Sequence, residues 1–219
     1  MADVRFRYQS NDFGDYDIHY RSLKNRNQFE DIDGIAEGLG ISSASWPLFG
    51  MVWQSGEVLA QLMANYDLGS RRILELGCGV GLASLVLNKR LANISATDIH
   101  PLANEYLDHN TLLNHDRDIP FFRTDWIDSQ DRTHGDFDLL IGSDVLYERP
   151  HNKLLSIFIE HYARATCEVI IVDGGRGFSG KFSKLMEANG FSVEILDSIA
   201  PFTDPQHFKG KILRYWRSE

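Results

Sequence analysis

Hydrophobic and polar positions follow two alternating patterns along most of the chain. From residue 71 onward, short apolar runs are separated by longer stretches in which apolar residues recur three and four positions apart. Short apolar runs are typical of buried strands, and the wider spacing is typical of amphipathic helices. Their alternation predicts β-α units built on a parallel sheet.

Seven apolar runs predict seven strands. They are Arg72 to Leu76, Asn93 to Thr97, Pro120 to Arg123, Phe137 to Gly142, Cys167 to Val172, Phe191 to Leu196 and Lys211 to Trp216. Helices are predicted at Ser55 to Tyr66, Leu82 to Leu91, Pro101 to Asn114, Pro150 to Ala163 and Ser179 to Asn189. The last two strands are separated by Asp197 to Gly210, a proline-containing loop with no room for a crossover helix, so we expect antiparallel neighbours. The expected fold class is α/β, a doubly wound seven-stranded sheet, mostly parallel with an antiparallel last strand and helices on both faces.

The amino-terminal quarter of the chain is less periodic than the rest. We expect residues 1–53 to form an extension or lid packed on a core of residues 54–219. A length of 219 residues, with 43% hydrophobic residues, suits one structural domain overall.

Charge and cysteine content narrow the classes of partner. The net charge is −9, and no cluster of Lys and Arg is available to neutralise phosphates, which argues against a nucleic-acid partner. No apolar run approaches the ~20 residues of a membrane helix, and the first residues are not signal-like, so we expect a cytoplasmic protein with no membrane contact. Cys78 and Cys167 are too few for a disulfide framework or a cysteine-rich zinc site, and the histidines lack metal-ligand spacing, so no metal is assigned.

The first candidate binding feature is a glycine-rich loop. The strand Ile73 to Leu76 runs into Gly77-Cys78-Gly79-Val80-Gly81 and then into a helix. Glycines there let the backbone bend tightly and admit a ligand at the helix amino terminus. A nicotinamide-binding fingerprint would place its third glycine at Leu82, so that cofactor fits less well. The same residues also suit a purely structural turn.

Two acidic segments follow the next two strands. Asp98 ends the second strand about 20 residues beyond the first glycine, where a carboxylate can accept hydrogen bonds from both ribose hydroxyls, although Asp is also a common helix cap. Asp125-Trp126 follows the third strand and offers an acceptor for an exocyclic amine and a flat ring for adenine, or a tryptophan that fills a core gap. Together with the glycine loop, these residues indicate a nucleoside cofactor at the carboxyl ends of the strands.

The catalytic candidates close the fourth strand. The segment Gly142-Ser143-Asp144-Val145-Leu146-Tyr147-Glu148 brings a carboxylate and a phenol to the same edge of the sheet as the glycine loop. Asp144 and Tyr147 are therefore the predicted catalytic residues.

A loop nearer the carboxyl terminus is similar in sequence to a phosphate-binding motif. Gly175 to Phe182 lies between a strand and a helix, but Phe182 stands where Mg²⁺ binding requires a Ser or Thr hydroxyl. We expect the loop instead to contribute Asp173 and Arg176 to the rim of a substrate site, the alternative being a flexible solvent loop.

In this order the segments resemble the class I, seven-strand S-adenosylmethionine-dependent methyltransferases, and specifically the branch of protein lysine methyltransferases. The resemblance covers about Trp46 to Glu219 and is most specific at Val52 to Gly56, Leu74 to Gly81, Thr97-Asp98, Asp125-Trp126 and Asp144-Val145-Leu146-Tyr147, a D-x-x-Y group. It implies a Rossmann-like fold and S-adenosyl-L-methionine as cofactor. The expected cofactor contacts are Trp53, Glu75, Gly77, Gly79, Gly81, Asp98, Asp125, Trp126 and Ser143.

The resemblance also bears on the methyl acceptor. Val172 to Gly180 is similar to the corresponding loop of the electron-transfer-flavoprotein β-subunit lysine methyltransferases, except that Gly174 stands where those proteins have proline. A lysine-bearing protein substrate is therefore expected, with Asp144 attracting its ammonium. A methyltransferase of a small metabolite or of another protein side chain, and a non-catalytic cofactor-binding module, are the alternatives left open.

Overall fold

The structure, a computed structural model, describes residues 4–27, 34–127, 133–196 and 208–218. Within these ranges the strands are β1 (Phe6–Phe13), β2 (Tyr16–Leu23), β3 (Arg72–Leu76), β4 (Asn93–Asp98), β5 (Phe121–Arg123), β6 (Phe137–Ser143), β7 (Ala163–Asp173), β8 (Ser192–Leu196) and β9 (Lys211–Arg217). The α-helices are α1 (Ile35–Gly38), α2 (Gln54–Asn65), α3 (Leu82–Lys89), α4 (Ala103–Leu113), α5 (His151–Tyr162) and α6 (Ser179–Ala188), and a 3₁₀ helix spans Trp46–Gly50.

Seven strands form the main sheet in the order β5-β4-β3-β6-β7-β9-β8. Neighbours from β5 to β7 are parallel, and β9 runs antiparallel to both β7 and β8. This confirms the predicted α/β class with one antiparallel last strand. The chain winds outward from β3 to β5 and then returns to the other side of β3 at β6. The carboxyl ends of β3 and β6 therefore flank the crevice where doubly wound sheets bind their ligands.

Helices cover both faces of the sheet, because successive strand side chains point to opposite sides. Ile73 of β3 belongs to the apolar cluster that α2, α3 and α4 cover, whereas Leu74 belongs to the cluster under α5 and α6. None of the helices in the described ranges is long and apolar enough to cross a membrane.

Element boundaries differ from the prediction at a few ends. Strand β7 begins at Ala163, directly after α5, four residues before the predicted Cys167. Residues 164–166 are exposed and carry no apolar run, so the sequence pattern hides the first part of the strand. Helix α6 ends at the predicted stop, where Gly190 has a φ of +84°. The predicted irregular loop from Asp197 to Gly210 lies, up to residue 207, outside the described residues.

The amino-terminal segment contains a β-hairpin that the sequence analysis missed. Strands β1 and β2 pair antiparallel around residues 14 and 15. In β2 the side chains of Ile18 and Tyr20 are fully buried, whereas most of β1 is exposed or half-buried. The division of the chain at residue 53 stays a prediction.

Two asparagine side chains of α4 hold the hairpin. Asn110 accepts from the N–H of Arg21 at 2.8 Å and donates to its carbonyl at 3.3 Å. Asn114, one helical turn later, makes the same pair of bonds with His19, at 2.9 and 2.7 Å. The two amides thus provide hydrogen-bond partners for backbone groups at the free edge of β2, as a neighbouring strand would. Asn110 also donates to the carbonyl of Val80, which connects the hairpin to the glycine loop.

Candidate active site

The glycine loop lies between β3 and α3 at the carboxyl edge of the sheet. Gly77, Gly79 and Gly81 all have left-handed backbones, with φ of +62°, +55° and +80°. A Cβ at Gly79 would lie 2.7 Å from the carbonyl oxygen of Phe49, so this position admits no side chain. The loop therefore needs glycine both for its backbone conformation and for its close packing against Phe49.

Glu75 ties β3 to the first turn of α3. It is buried, and one carboxylate oxygen accepts from both the N–H, at 2.9 Å, and the hydroxyl of Ser84. Burial raises the pKa of Glu75 to about 7, although the two bonds from Ser84 lower it. The structure thus places this predicted cofactor contact beneath the loop, where it braces the strand end.

Asp98 connects the end of β4 to the glycine loop. One carboxylate oxygen accepts from the N–H of Gly79 at 2.9 Å, and the other accepts from the N–H of His100 at 2.8 Å. Burial raises the pKa of Asp98, while these backbone bonds lower it. Because a carboxylate offers about four acceptor positions, the two bonds leave acceptor capacity for hydroxyls of a ligand.

Trp126 lies beside Gly77 of the glycine loop. Its backbone has a φ of +65°, its half-buried ring meets His151 edge-on at 5.5 Å, and a Cβ at Gly77 would lie 3.9 Å from it. Asp125 is exposed, and its carboxylate accepts from the N–H of Ile127 at 2.9 Å. The pair therefore forms a ring wall and an acidic rim at the end of β5.

Asp144 follows β6 and makes a bidentate ion pair. Its backbone has a φ of +51°, which is uncommon for a residue with a side chain, and its N–H donates to Val172 at 2.9 Å. The carboxylate accepts from Nε of Arg176 at 3.0 Å and from its Nη2 at 2.7 Å. The Asp144 side chain is 11% exposed and that of Arg176 is 44% exposed. The structure therefore joins the predicted catalytic acid to the predicted rim arginine.

Tyr147 completes the D-x-x-Y group. Its ring packs edge-on against His151 at 4.6 Å. The pKa of Tyr147 is raised to about 12, mainly by burial and also by the carboxylates of Asp98, Glu148 and Asp144, while Arg176 lowers it. The phenol is thus protonated at neutral pH and lies within electrostatic reach of both acidic residues.

The start of α2 covers the end of β6. Trp53, just before α2, donates from its indole N–H to the carbonyl of Leu48 at 3.1 Å, and its ring centre lies 5.9 Å from the guanidinium of Arg176. Ser143 lies under α2, where a Cβ at Gly56 would be 3.5 Å from the serine hydroxyl. Both residues, predicted as cofactor contacts, thus lie at the roof of the crevice.

The departure from the proline-containing loop pattern has a steric reason. A Cβ at Gly174 would lie 2.8 Å from a carboxylate oxygen of Asp144, so a proline there would displace that carboxylate. The preceding Asp173 is 1% exposed, and neither of its carboxylate oxygens accepts a hydrogen bond from the described residues. Burial and the charge of Asp144 raise the pKa of Asp173, and the charges of Arg176 and Lys211 lower it.

Sequence reasoning did not single out several residues that support the site. Ser84 bonds Glu75, and Asn110 bonds the glycine loop. His100 is buried in a ring stack with Phe49, with centroids 3.5 Å apart, and burial lowers its pKa to about 3. The one available signal was Asn110, a polar residue on the buried stripe of a predicted helix.

Comparison with known proteins identifies the family of the chain. Residues 43–187 match a family model described as lysine methyltransferase. The chain is 29% identical over 139 residues to Protein N-lysine methyltransferase METTL21A of Danio rerio, covering 59% of this chain and 63% of that one. It is 27% identical over 134 residues to Protein-lysine methyltransferase METTL21E of Bos taurus, covering 56% and 46%. The match thus spans about half to two thirds of the length of these relatives.

Solved structures share the fold. A TehB-like SAM-dependent methyltransferase from Corynebacterium glutamicum superposes with a TM-score of 0.58 at 20% identity, over 84% of this chain and 93% of that one. At this identity the likeness concerns the fold alone. Because the family match covers more than half of the sequence, however, the chain belongs to the lysine methyltransferase family.

Proposed function

We propose that this chain is an S-adenosylmethionine-dependent methyltransferase that acts on a lysine side chain of a protein. One observation carries the proposal. The left-handed glycine loop, Asp98 and the pair Asp144 and Tyr147 meet at the switch-point edge of the sheet. Family membership supports lysine as the acceptor.

The residues at the β3 and β4 ends fit the cofactor. At Gly79 a side chain would collide with Phe49, so this position requires glycine, and its N–H is oriented by Asp98. Asp98 keeps acceptor positions for ribose hydroxyls, and Trp126 supplies a ring beside Gly77. When bound, S-adenosylmethionine supplies a methyl group on a positively charged sulfur. The residues proposed to hold it are Trp53, Gly77, Gly79, Gly81, Asp98, Asp125, Trp126 and Ser143, with Glu75 bracing the loop from beneath.

The residues at the β6 and β7 ends have the chemistry to bind and align a lysine ammonium. A lysine of ordinary pKa ~10.4 is protonated at pH 7, and freeing its lone pair costs about 4–5 kcal/mol. Asp144 attracts and aligns the ammonium, and the proton leaves to water. Tyr147 presents its π-face to the cation and walls the channel. Alignment is the main contribution, since correct positioning of two reactants supplies roughly 7–11 kcal/mol of barrier reduction.

The test is transfer of tritiated methyl groups from labelled cofactor into a cell lysate. Protein is separated from small molecules, hydrolysed, and searched for methylated lysine. We expect the label in protein as methyl-lysine, and we expect Asp144→Asn to reduce labelling by about 100-fold or more. Label in the small-molecule fraction, or on another amino acid, would contradict the lysine assignment and favour the corresponding alternative acceptor.

A further inference from the structure

Arg176 is bound by the carboxylate that the proposed function assigns to the substrate. Both oxygens of Asp144 accept from the guanidinium, at 3.0 and 2.7 Å. This two-point pairing is the geometry that a carboxylate and an arginine form most favourably. Asp144 also holds the pKa of Arg176 above its ordinary value, so the cation is permanent. A second cation cannot take the same two positions until Arg176 leaves them.

Aromatic rings make the place of the guanidinium a cation site. The ring of Trp53 lies 5.9 Å from the guanidinium carbon, within the range of a cation–π contact. The phenol of Tyr147 is electrostatically coupled to both Asp144 and Arg176. A carboxylate beside an indole ring suits a lysine ammonium equally well, and here an arginine of the chain itself takes that place.

The loop that carries Arg176 lies at the surface and has few contacts with the core. Residues 174–177 are all exposed, and Gly175 and Gly177 have φ of +84° and +86°. A Cβ at Gly177 would meet no atom within 4 Å. The loop therefore touches little of the core, and Arg176 can withdraw without repacking it.

We propose that Arg176 is a specificity-determining residue: it occupies the Asp144 cation site in the substrate-free chain, and the ammonium of the acceptor lysine must displace it. The inference rests on the proposed function, because that function makes Asp144 the partner of the ammonium. Free amines gain too little elsewhere to compete with the bidentate pair, whereas a lysine on a protein surface brings additional contacts. Arg176 thus selects protein-borne lysine against small amines.

The test is the affinity of n-butylammonium for the full chain saturated with S-adenosylhomocysteine, measured by NMR titration. Arg176→Ala should bind the amine about fivefold or more tightly than the natural chain. Arg176→Gln, which keeps most of the side-chain length without the charge, should behave alike and serves if the alanine variant folds poorly. Arg164→Ala is the matched control, since Arg164 is also exposed and ion-paired, to Asp138 at 2.7 Å, but at the opposite end of β7. It should leave the affinity unchanged.

The direction of the change in amine affinity shows whether Arg176 competes with the ligand. Unchanged or weaker amine binding in both Arg176 variants would overturn the proposal, because it would mean that the arginine does not compete with the ligand. Affinity for S-adenosylhomocysteine is measured first and separates the two claims. Failure to bind it contradicts the proposed function, whereas normal binding with unaltered amine affinity contradicts only the role of Arg176.

Discussion

The two halves of the candidate site are held by different kinds of contact. In the glycine-loop half, the buried carboxylates of Glu75 and Asp98 bond backbone N–H groups of α3 and of the loop itself. In the Asp144 half, the carboxylate bonds one exposed arginine, on a loop in which Gly177 has open space around it. The first half is therefore fixed when the chain folds, whereas the second can open while the fold stays intact.

This difference matches the tasks that the proposed function gives to each half. A cofactor of constant structure can be bound by a rigid site, because preorganised groups bind without an ordering cost. A protein acceptor has to be admitted and released, which favours contacts that are easily broken. The predictions below test whether the halves differ as described.

The largest effect is expected on the free energy of unfolding when a glycine of the glycine loop is substituted. Gly79→Ala combines a left-handed backbone with a Cβ 2.7 Å from the Phe49 carbonyl, and we expect the free energy of unfolding to fall by roughly 4 kcal/mol. Gly177→Ala is the matched control, with a positive φ but open space, and should cost about 1–2 kcal/mol. Urea denaturation measures both. Equal losses would show that the two loops are equally constrained and would contradict the comparison.

The next effect concerns pH. The pKa of Glu75 is about 7 when folded against an ordinary value of 4.5, so the folded chain binds this proton more tightly than the unfolded chain. The stabilisation is complete below pH 4.5 and is lost as pH rises through about 7. Glu75→Gln cannot titrate, so its stability relative to the natural chain should rise by about 3 kcal/mol between pH 4.5 and 8. Urea denaturation across this pH range measures the two free energies of unfolding. If their difference did not change with pH, the raised pKa of Glu75 would be contradicted.

The smallest effect is expected in the Asp144 half. Arg176→Ala removes an ion pair whose cation is 44% exposed, and solvent screening leaves such pairs a net contribution below about 1 kcal/mol. The variant should therefore unfold within about 1 kcal/mol of the natural chain. A loss of several kcal/mol would mean that the loop is part of the rigid frame, and the contrast between the halves would disappear.

Much of the fold is readable from the sequence, because apolar runs and helical periodicity report burial directly. All seven strands of the main sheet were predicted in this way. The hairpin was not, because Phe13 is the only buried side chain of β1 and no apolar run marks that strand. The alternation of buried Ile18 and Tyr20 in β2 was the available signal.

For the site, the sequence predicts only which residues lie at the carboxyl ends of strands. Parallel strands end at one edge of a sheet, so Asp98 and Asp144 could be expected near one another. The pairing of Asp144 with Arg176 was not predictable, because the residues are 32 positions apart and meet through the left-handed backbone of Asp144. The contact also requires a glycine at position 174, because a Cβ there would collide with Asp144. The sequence does not show that these two residues are close in space.

The most direct test of the central claim is calorimetric titration of S-adenosylhomocysteine into Asp98→Asn and Asp144→Asn. Both substitutions are isosteric and remove one carboxylate charge. If the glycine-loop half holds the cofactor and the Asp144 half handles the acceptor, Asp98→Asn should weaken binding about tenfold or more. Asp144→Asn should stay within about twofold of the natural chain. Unchanged affinity in Asp98→Asn, or equal losses in both variants, would contradict the account.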